Sequence, residues 1–417
     1  MKKYFVSLAF ILFLSASVSY ACTSVIVSGK YTSSGRPIMY KNRDTGNIHN
    51  RMEYFRGPEY SFIGLVNSGD GQGSVWAGTN EAGFCIMNTA SYNLKDDEIP
   101  EEDMGMEGHL MHAALGVCAT ISDFEHFLDT LKRPMLVETN IGIIDASGGA
   151  SYYEVCNYSW KKYDVNDPEI APDGYIVVTN FSNGGRPEDA RGVERFKTAS
   201  VVMKEYASSH KGKGFNPGHE FIFNKISRSY RHEFMGVDYS RKRNLRTLKN
   251  GYAVDQDFIP RINTSASVVF EGVCKDESPL HTVMWTILGY PACGTAVPLL
   301  PAKADNIPYY MKSIDKAGNC YIDDISFHIK EKYVFTETVS NGSHYFNIRN
   351  VVKGSKNLPS LLECARKSDK LIREDFNSIY YDWIEEKSSD EEFYSAYEKV
   401  SEKFIMYYET CFSPFIQ

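Results

Sequence analysis

The sequence predicts an α+β fold built as one domain with a helical C-terminal appendage. Three observations carry this. Alternating, β-branched runs dominate the first third of the chain, a helical period interrupts them at 109–131, and about the last 60 residues are charged and helical with two apolar faces. No Pro/Ser-rich linker and no internal repeat divides the 417 residues, so length alone does not require several domains.

The elements follow in order. Thr23-Ser24-Val25-Ile26-Val27-Ser28 alternates and is followed by a Gly-containing turn and Pro37-Ile38-Met39-Tyr40, which reads as a hairpin. Further strands are expected at Tyr60 to Val66, Ser74 to Thr79 and Phe84 to Asn88, separated by Gly and Asn turns. Between His109 and Leu131 the residues Leu110, Ala113, Leu115, Val117, Ile121, Phe124, Phe127 and Leu131 recur at helical spacing, giving one or two helices packed on that sheet. Asn140 to Asp145 and Ala150 to Val155 flank Ala146-Ser147-Gly148-Gly149, a second hairpin, and Tyr175 to Asn180 reads as a buried strand. Residues 187–235 read as helical, and 264–300 as strands again. In the appendage Leu361, Leu362, Ala365, Leu371, Ile372, Phe376 and Ile379 mark one apolar face, and Phe393, Ala396, Tyr397, Val400 and Phe404 another; it is expected to act as a cover or an oligomer contact.

Composition excludes several classes. With 43% hydrophobic, 13% aromatic and 24% charged residues the chain is globular, and a net charge of −8 argues against a nucleic-acid partner, whose phosphates need clustered Lys and Arg. The basic run Arg241, Lys242, Arg243 and Arg246 reads as a solvated face. None of the nine cysteines forms a CxxC pair, and the ten histidines show no HExxH, so no metal and no other cofactor is expected. The cysteines other than Cys22 read as buried small hydrophobes or one or two disulfides whose pairing the spacing leaves open.

Lys2 and Lys3, the apolar run from Phe5 to Leu14 and the small residues Ser19 and Ala21 make 1–21 a secretory signal peptide with its cut between Ala21 and Cys22. No later stretch reaches the roughly 18 apolar residues of a membrane span. The expected organisation is signal peptide 1–21, catalytic domain 22–355 and helical extension 356–417, in a secreted or periplasmic protein. A lipid on Cys22 is the minor alternative, since a lipid-accepting site usually has Leu three places earlier, where Ser19 stands.

A cysteine that becomes residue one carries a thiol and a free α-amine on one carbon. Their ordinary pKa values, about 8.5 and about 7.7–8.0, are close enough for the amine to act as the thiol's base, so no histidine is needed. Lys41-Asn42-Arg43-Asp44 ends the second strand and returns beside Cys22 if the two strands pair. A carboxylate there can accept a hydrogen bond from the amine, and a cation favours thiolate and an anionic intermediate. Taken as a bare tetrapeptide, the same residues also suit a solvated turn.

The cysteine opening, the hairpin to Asn-x-Asp, the Asn80-Glu81-Ala82-Gly83 turn and Val178-Thr179-Asn180 resemble the choloylglycine hydrolase and penicillin acyltransferase superfamily of Ntn (N-terminal nucleophile) hydrolases. Gly35 to Asp44, Ile144-Asp145-Ala146-Ser147-Gly148-Gly149 and Met284-Trp285 through Gly289-Tyr290-Pro291 are closest to its acyltransferase-like branch, the linear amide C–N hydrolases, with matches in order over roughly 22–300. The resemblance implies a four-layer αββα sandwich in which Cys22 attacks a linear amide and water, or another amine, resolves a thioester. It implies that Asp44 holds the nucleophile and that the Asn180 side-chain amide serves the oxyanion hole. The bile-salt pattern has arginine three places before the aspartate, where this chain has Lys41, with Arg43 directly before Asp44. A second asparagine has Asn88 and Asn93 as candidates, and the downstream arginine is replaced by Thr264-Ser265-Ala266-Ser267, leaving Arg261 as a distant substitute. The expected partner is a small amide, with Arg43 suggesting a carboxylate on it, as in N-acyl amino acids or short peptides.

Overall fold

The computed structural model describes residues 21–69, 73–210, 215–301, 307–337 and 344–416. The signal-peptide expectation lies outside the described residues except for Ala21. β1 (Thr23–Val27) and β2 (Ile38–Asp44) form the expected hairpin, with Thr23 opposite Asn42 and Val27 opposite Ile38. Next come β3 (Asn50–Arg56), β4 (Ser61–Asn67), β5 (Ala77–Asn80) and β6 (Cys85–Ala90), then α1 (Glu107–Val117) and α2 (Ile121–Thr130). The hairpin of β7 (Thr139–Ile144) and β8 (Ala150–Val155) turns through Gly148 at φ 87°, and β9 (Trp160–Asp164) and β10 (Tyr175–Val178) follow. α3 (Val193–Ser209) leads to α4 (His219–Ile222), β11 (Arg231–His232), β12 (Val237–Asp238), α5 (Lys242–Thr247) and β13 (Tyr252–Val254). β14 (Thr264–Glu271), β15 (Val283–Leu288) and β16 (Val297–Leu299) precede α6 (Tyr321–Tyr333), β17 (Tyr345–Asn347) and α7 (Ile348–Val352). α8 (Leu361–Ile384) and α9 (Asp390–Ile416) end the described chain.

Two readings change. The helix expected over 187–235 divides into α3 and the short α4, which runs on as a π turn over Phe223–Ser227, because Pro217, which cannot continue a hydrogen-bonded turn, and Gly218 stand between α3 and α4. β3 was not expected; its residues mix charge with half-buried rings because it is an edge strand of its sheet.

One sheet runs β10-β1-β2-β14-β15-β16 and the other β3 through β9 in sequence order. They face each other, β1 against β8 and β2 against β6 and β7. α1 covers β4, β5 and β6 on one outer side, while α3, α4, α6 and α8 cover the other. The layers are therefore α, β, β, α, the order expected from the resemblance. Between the sheets Gly142 leaves room for Met87 and Ile26, whose Cε and Cδ1 lie 2.4 and 3.0 Å from where a Cβ would sit. α8 begins at Ser360, whose hydroxyl accepts the Glu363 N–H at 3.2 Å, and buries Leu361, Leu362, Ala365, Ile372 and Phe376. All nine cysteines are free, and all but Cys274 are buried. Arg241, Arg243 and Arg246 are exposed, as a solvated run should be.

The outer helix meets its sheet through glycine. A Cβ on Gly57 would stand 2.5 Å from the Gly116 Cα of α1 and 2.4 Å from the Tyr60 carbonyl oxygen, both backbone. Gly57→Ala is therefore expected to lower stability by about 1–3 kcal/mol, as overpacking does. Urea unfolding with an unchanged midpoint would show that the helix can yield there.

Candidate active site

Register brings the site together. Ser24 pairs with Val178 and Thr23 with Asn42, so the same registers, carried one or two residues on, set Cys22 level with Asn180 on one side and Arg43 on the other. Cys22 is 6% exposed, and its nitrogen, an amide here because Ala21 precedes it, donates to Asn180 Oδ1 at 2.8 Å. Asn180 Nδ2 donates to the Ala90 carbonyl at 2.8 Å, which commits one of its two hydrogens.

Strand alternation divides Lys41-Asn42-Arg43-Asp44 between two faces, and all four are buried, so the tetrapeptide is not a solvated turn. Lys41 and Arg43 face the seven-stranded sheet. Lys41 Nζ donates to Asn88 Oδ1 and the Trp76 carbonyl, both at 2.7 Å. Arg43 donates to Asn50 Oδ1 and, at 2.8 Å, to Asn67 Oδ1, with its guanidinium 5.0 Å from the Trp76 ring. Asp44 looks the other way and accepts from Thr264 Oγ1 at 2.6 Å, Asn42 Nδ2 at 2.9 Å and Arg261 Nε at 3.0 Å. A bulge between Thr264 and Ala266 lets β14 present Thr264 to Asp44 while Ser265 Oγ meets Arg43 at 3.3 Å.

Arg261, distant in sequence, is thus a direct neighbour of Asp44. Asn93 does not line the cavity beside Cys22: its amide bonds Ser182 N and O and the Arg186 carbonyl, pinning the loop after Asn180. Asn88 lines the cavity, as an oxyanion candidate should, but its oxygen is held by Lys41.

Sequence reading missed Arg195 and Asp257. Arg195, 1% exposed, donates to the Cys22 carbonyl, to Thr23 Oγ1 at 3.1 Å and to Asn180 Oδ1 at 2.9 Å. Asp257, at φ 57°, accepts from Arg195 Nε at 3.0 Å and from Arg261, joining the two arginines behind the cysteine. The one available signal was Gly192, at φ 74° before α3, where a Cβ would lie 2.2 Å from Arg195 Nη2.

Burial governs the charges. It works against ionisation of Asp257, but Arg195 and Arg261 outweigh it and hold that carboxyl below its usual range. Burial pushes Asp44 up, with Arg261 and Arg195 opposing. Burial also brings the Lys41 ammonium down to about 8, against the pull of Cys22. Since Lys41 titrates near 10.4 unfolded, its buried charge costs stability below pH 8, and that cost fades as pH rises from about 8 to about 10.4. If the cation serves the reaction, activity falls as pH rises through about 8, and Lys41→Arg removes that alkaline limb. A rate–pH profile identical in both proteins would exclude Lys41 from the chemistry.

These groups line a cavity of about 420 Å3 that includes Cys22, Lys41, Arg43, Asp44, Trp76 and Asn88, and Tyr92, Met104, Glu107 and Glu138 line it as well. Among the described residues the Trp76 indole N–H is buried without a hydrogen-bond partner. The arrangement sets the Cys22 residue beside the fixed Lys41 and Arg43 cations on one cavity.

No protein-family model and no curated protein matches the chain. Among solved structures it is similar to an N-acylethanolamine-hydrolyzing acid amidase ortholog of Caenorhabditis elegans, at 16% identity and TM-score 0.38 over 62% of this chain and 93% of that one. It is similar to a penicillin V acylase from Agrobacterium tumefaciens at 14% identity and TM-score 0.38, over 67% and 86% of the two chains. A variant of the conjugated bile acid hydrolase from Clostridium perfringens aligns at 11% identity and TM-score 0.38, over 64% and 89%.

Proposed function

We propose that this chain is an exported amidase of linear amides, with Cys22 as N-terminal nucleophile once residues 1–21 are removed. The observation that carries the reading is the Cys22 nitrogen, held by Asn180 Oδ1 at 2.8 Å beside a cavity that includes the thiol's residue. Cleavage before Cys22 turns that nitrogen into an amine adjoining its own thiol.

The amine takes the thiol proton and sulfur attacks the amide carbonyl carbon. The remaining Asn180 Nδ2 hydrogen and the Lys41 cation stabilise the oxyanion, which is usually the largest catalytic contribution. Collapse breaks the C–N bond, the leaving amine receives the proton from the α-ammonium, and a thioester remains on Cys22. Water, deprotonated by the freed amine, resolves it to acid and thiol. Water is favoured over an acceptor amine because the thioester of an exported enzyme faces a watery compartment.

The substrate is an N-acyl amino acid or short peptide whose carboxylate meets Arg43. A panel of N-acyl amino acids, dipeptides, conjugated bile acids and phenoxymethylpenicillin tests this. Arg43→Ala is expected to lose about tenfold or more kcat/KM on carboxylate-bearing amides relative to carboxylate-free ones, the order of a charge-assisted contact. Unchanged relative efficiency would remove Arg43 from recognition.

A further inference from the structure

We propose a second ligand site, for a small organic anion with a planar apolar body, in the cavity between α8 and the far end of the six-stranded sheet. Its volume is about 690 Å3, within the range of small-molecule pockets. Ile38 lines it and Asp44 lines the Cys22 cavity. These are the two ends of β2, separated by about 20 Å at roughly 3.3 Å per residue. The two cavities therefore open at opposite ends of one strand.

The floor is preorganised. The His219 ring stacks on Trp285 at 3.8 Å and 14°, and Trp285 is 2% exposed. Glu271 accepts from His219 N at 3.0 Å, His219 Nδ1 at 2.9 Å and Trp285 Nε1 at 3.1 Å. Burial opposes its ionisation, yet these partners hold its carboxyl at about 2. With Nδ1 donating to Glu271, the imidazolium form is the one that offers an Nε2–H to an anion. Phe376 of α8 packs edge-on against Trp285 with ring centroids 5.4 Å apart, and Tyr380 stacks on Phe376, so a flat ring system meets one continuous aromatic surface.

Charge selects the anion. The chain carries −8 overall, yet this cavity sets Lys225 and Arg373 against Glu220 and Glu271, with Arg36 already paired to Glu277 and donating to the Tyr380 hydroxyl at 2.6 Å. Glu271 is already spent on His219 and Trp285. Arg373 pairs with Glu220 at 2.8 Å, but the Glu220 side chain is 60% exposed and that of Arg373 only 21%. An exposed partner of this kind holds weakly, and a ligand carboxylate or sulfonate can replace it.

The test is titration calorimetry of the full chain carrying Cys22→Ala, so that the Cys22 chemistry is silent, with 2-naphthoate and its neutral analogue 2-naphthamide. The expected result is naphthoate binding at least about tenfold tighter than the amide, the worth of one charge-assisted contact. Arg373→Ala should remove most of that difference, and Asn377→Trp, which fills the cavity from α8, should abolish binding. Equal affinity for acid and amide, no binding of either, or naphthoate binding that survives both variants would overturn the proposal. None of these outcomes bears on the Cys22 reading.

Discussion

Cys22→Ala is expected to abolish amide cleavage, by at least about 10³-fold, because the proposed reaction has no second nucleophile to fall back on. Fold and stability should stay close to the parent, since the substitution removes one sulfur from a residue whose nitrogen and carbonyl make the recorded bonds. Cys22→Ser keeps the size but supplies a hydroxyl that a neighbouring amine cannot readily deprotonate, so it too should be slow by orders of magnitude. Rates within tenfold of the parent for either variant would place the chemistry elsewhere.

The second large effect is on Arg195. Its guanidinium joins the Cys22 carbonyl, Thr23, Asn180 and Asp257, and it is buried. Arg195→Ala leaves Asp257 with Arg261 as its one cation among the described residues and strips Asn180 Oδ1 of a donor. The expected loss is about 3–5 kcal/mol, as for breaking a buried ion pair from one side. It should appear as a lower urea midpoint together with reduced kcat in whatever protein remains folded. Arg195→Lys keeps a charge without the fork and should fall between the two. Gly192→Ala meets the same guanidinium and also a φ of 74°, so it should be milder in the Arg195→Lys background than alone. Additive effects would contradict the close contact.

What was legible in the sequence is what strand register and local pattern control. Cys22, Lys41 to Asp44 and Asn180 share neighbouring strands, and alternation with turn residues was enough to place those strands. Both sheets' hairpins and the apolar faces of α8 and α9 follow from the same periodicities. Arg195 was hidden because an arginine at the start of a helix normally reads as solvated, and only a tertiary contact with β1 buries it. Asp257 lies in the loop before β14, where no period speaks, while Arg261, legible only as a distant substitute, meets Asp44 from the same loop. Of the two asparagine candidates Asn88 lines the cavity, whereas Asn93, in the loop after β6, bonds the loop after Asn180.

The central claim is that Cys22 acts with a free amine of its own. The most direct measurement is intact and N-terminal peptide mass on protein expressed with residues 1–21, before and after a cysteine-directed alkylator, with amide cleavage followed in parallel. A chain beginning at unmodified Cys22, whose alkylation at that residue abolishes cleavage, is the predicted result. A lipid or acyl group on Cys22, or cleavage that survives its alkylation, would contradict the account and bring forward a lipid-anchored binding protein.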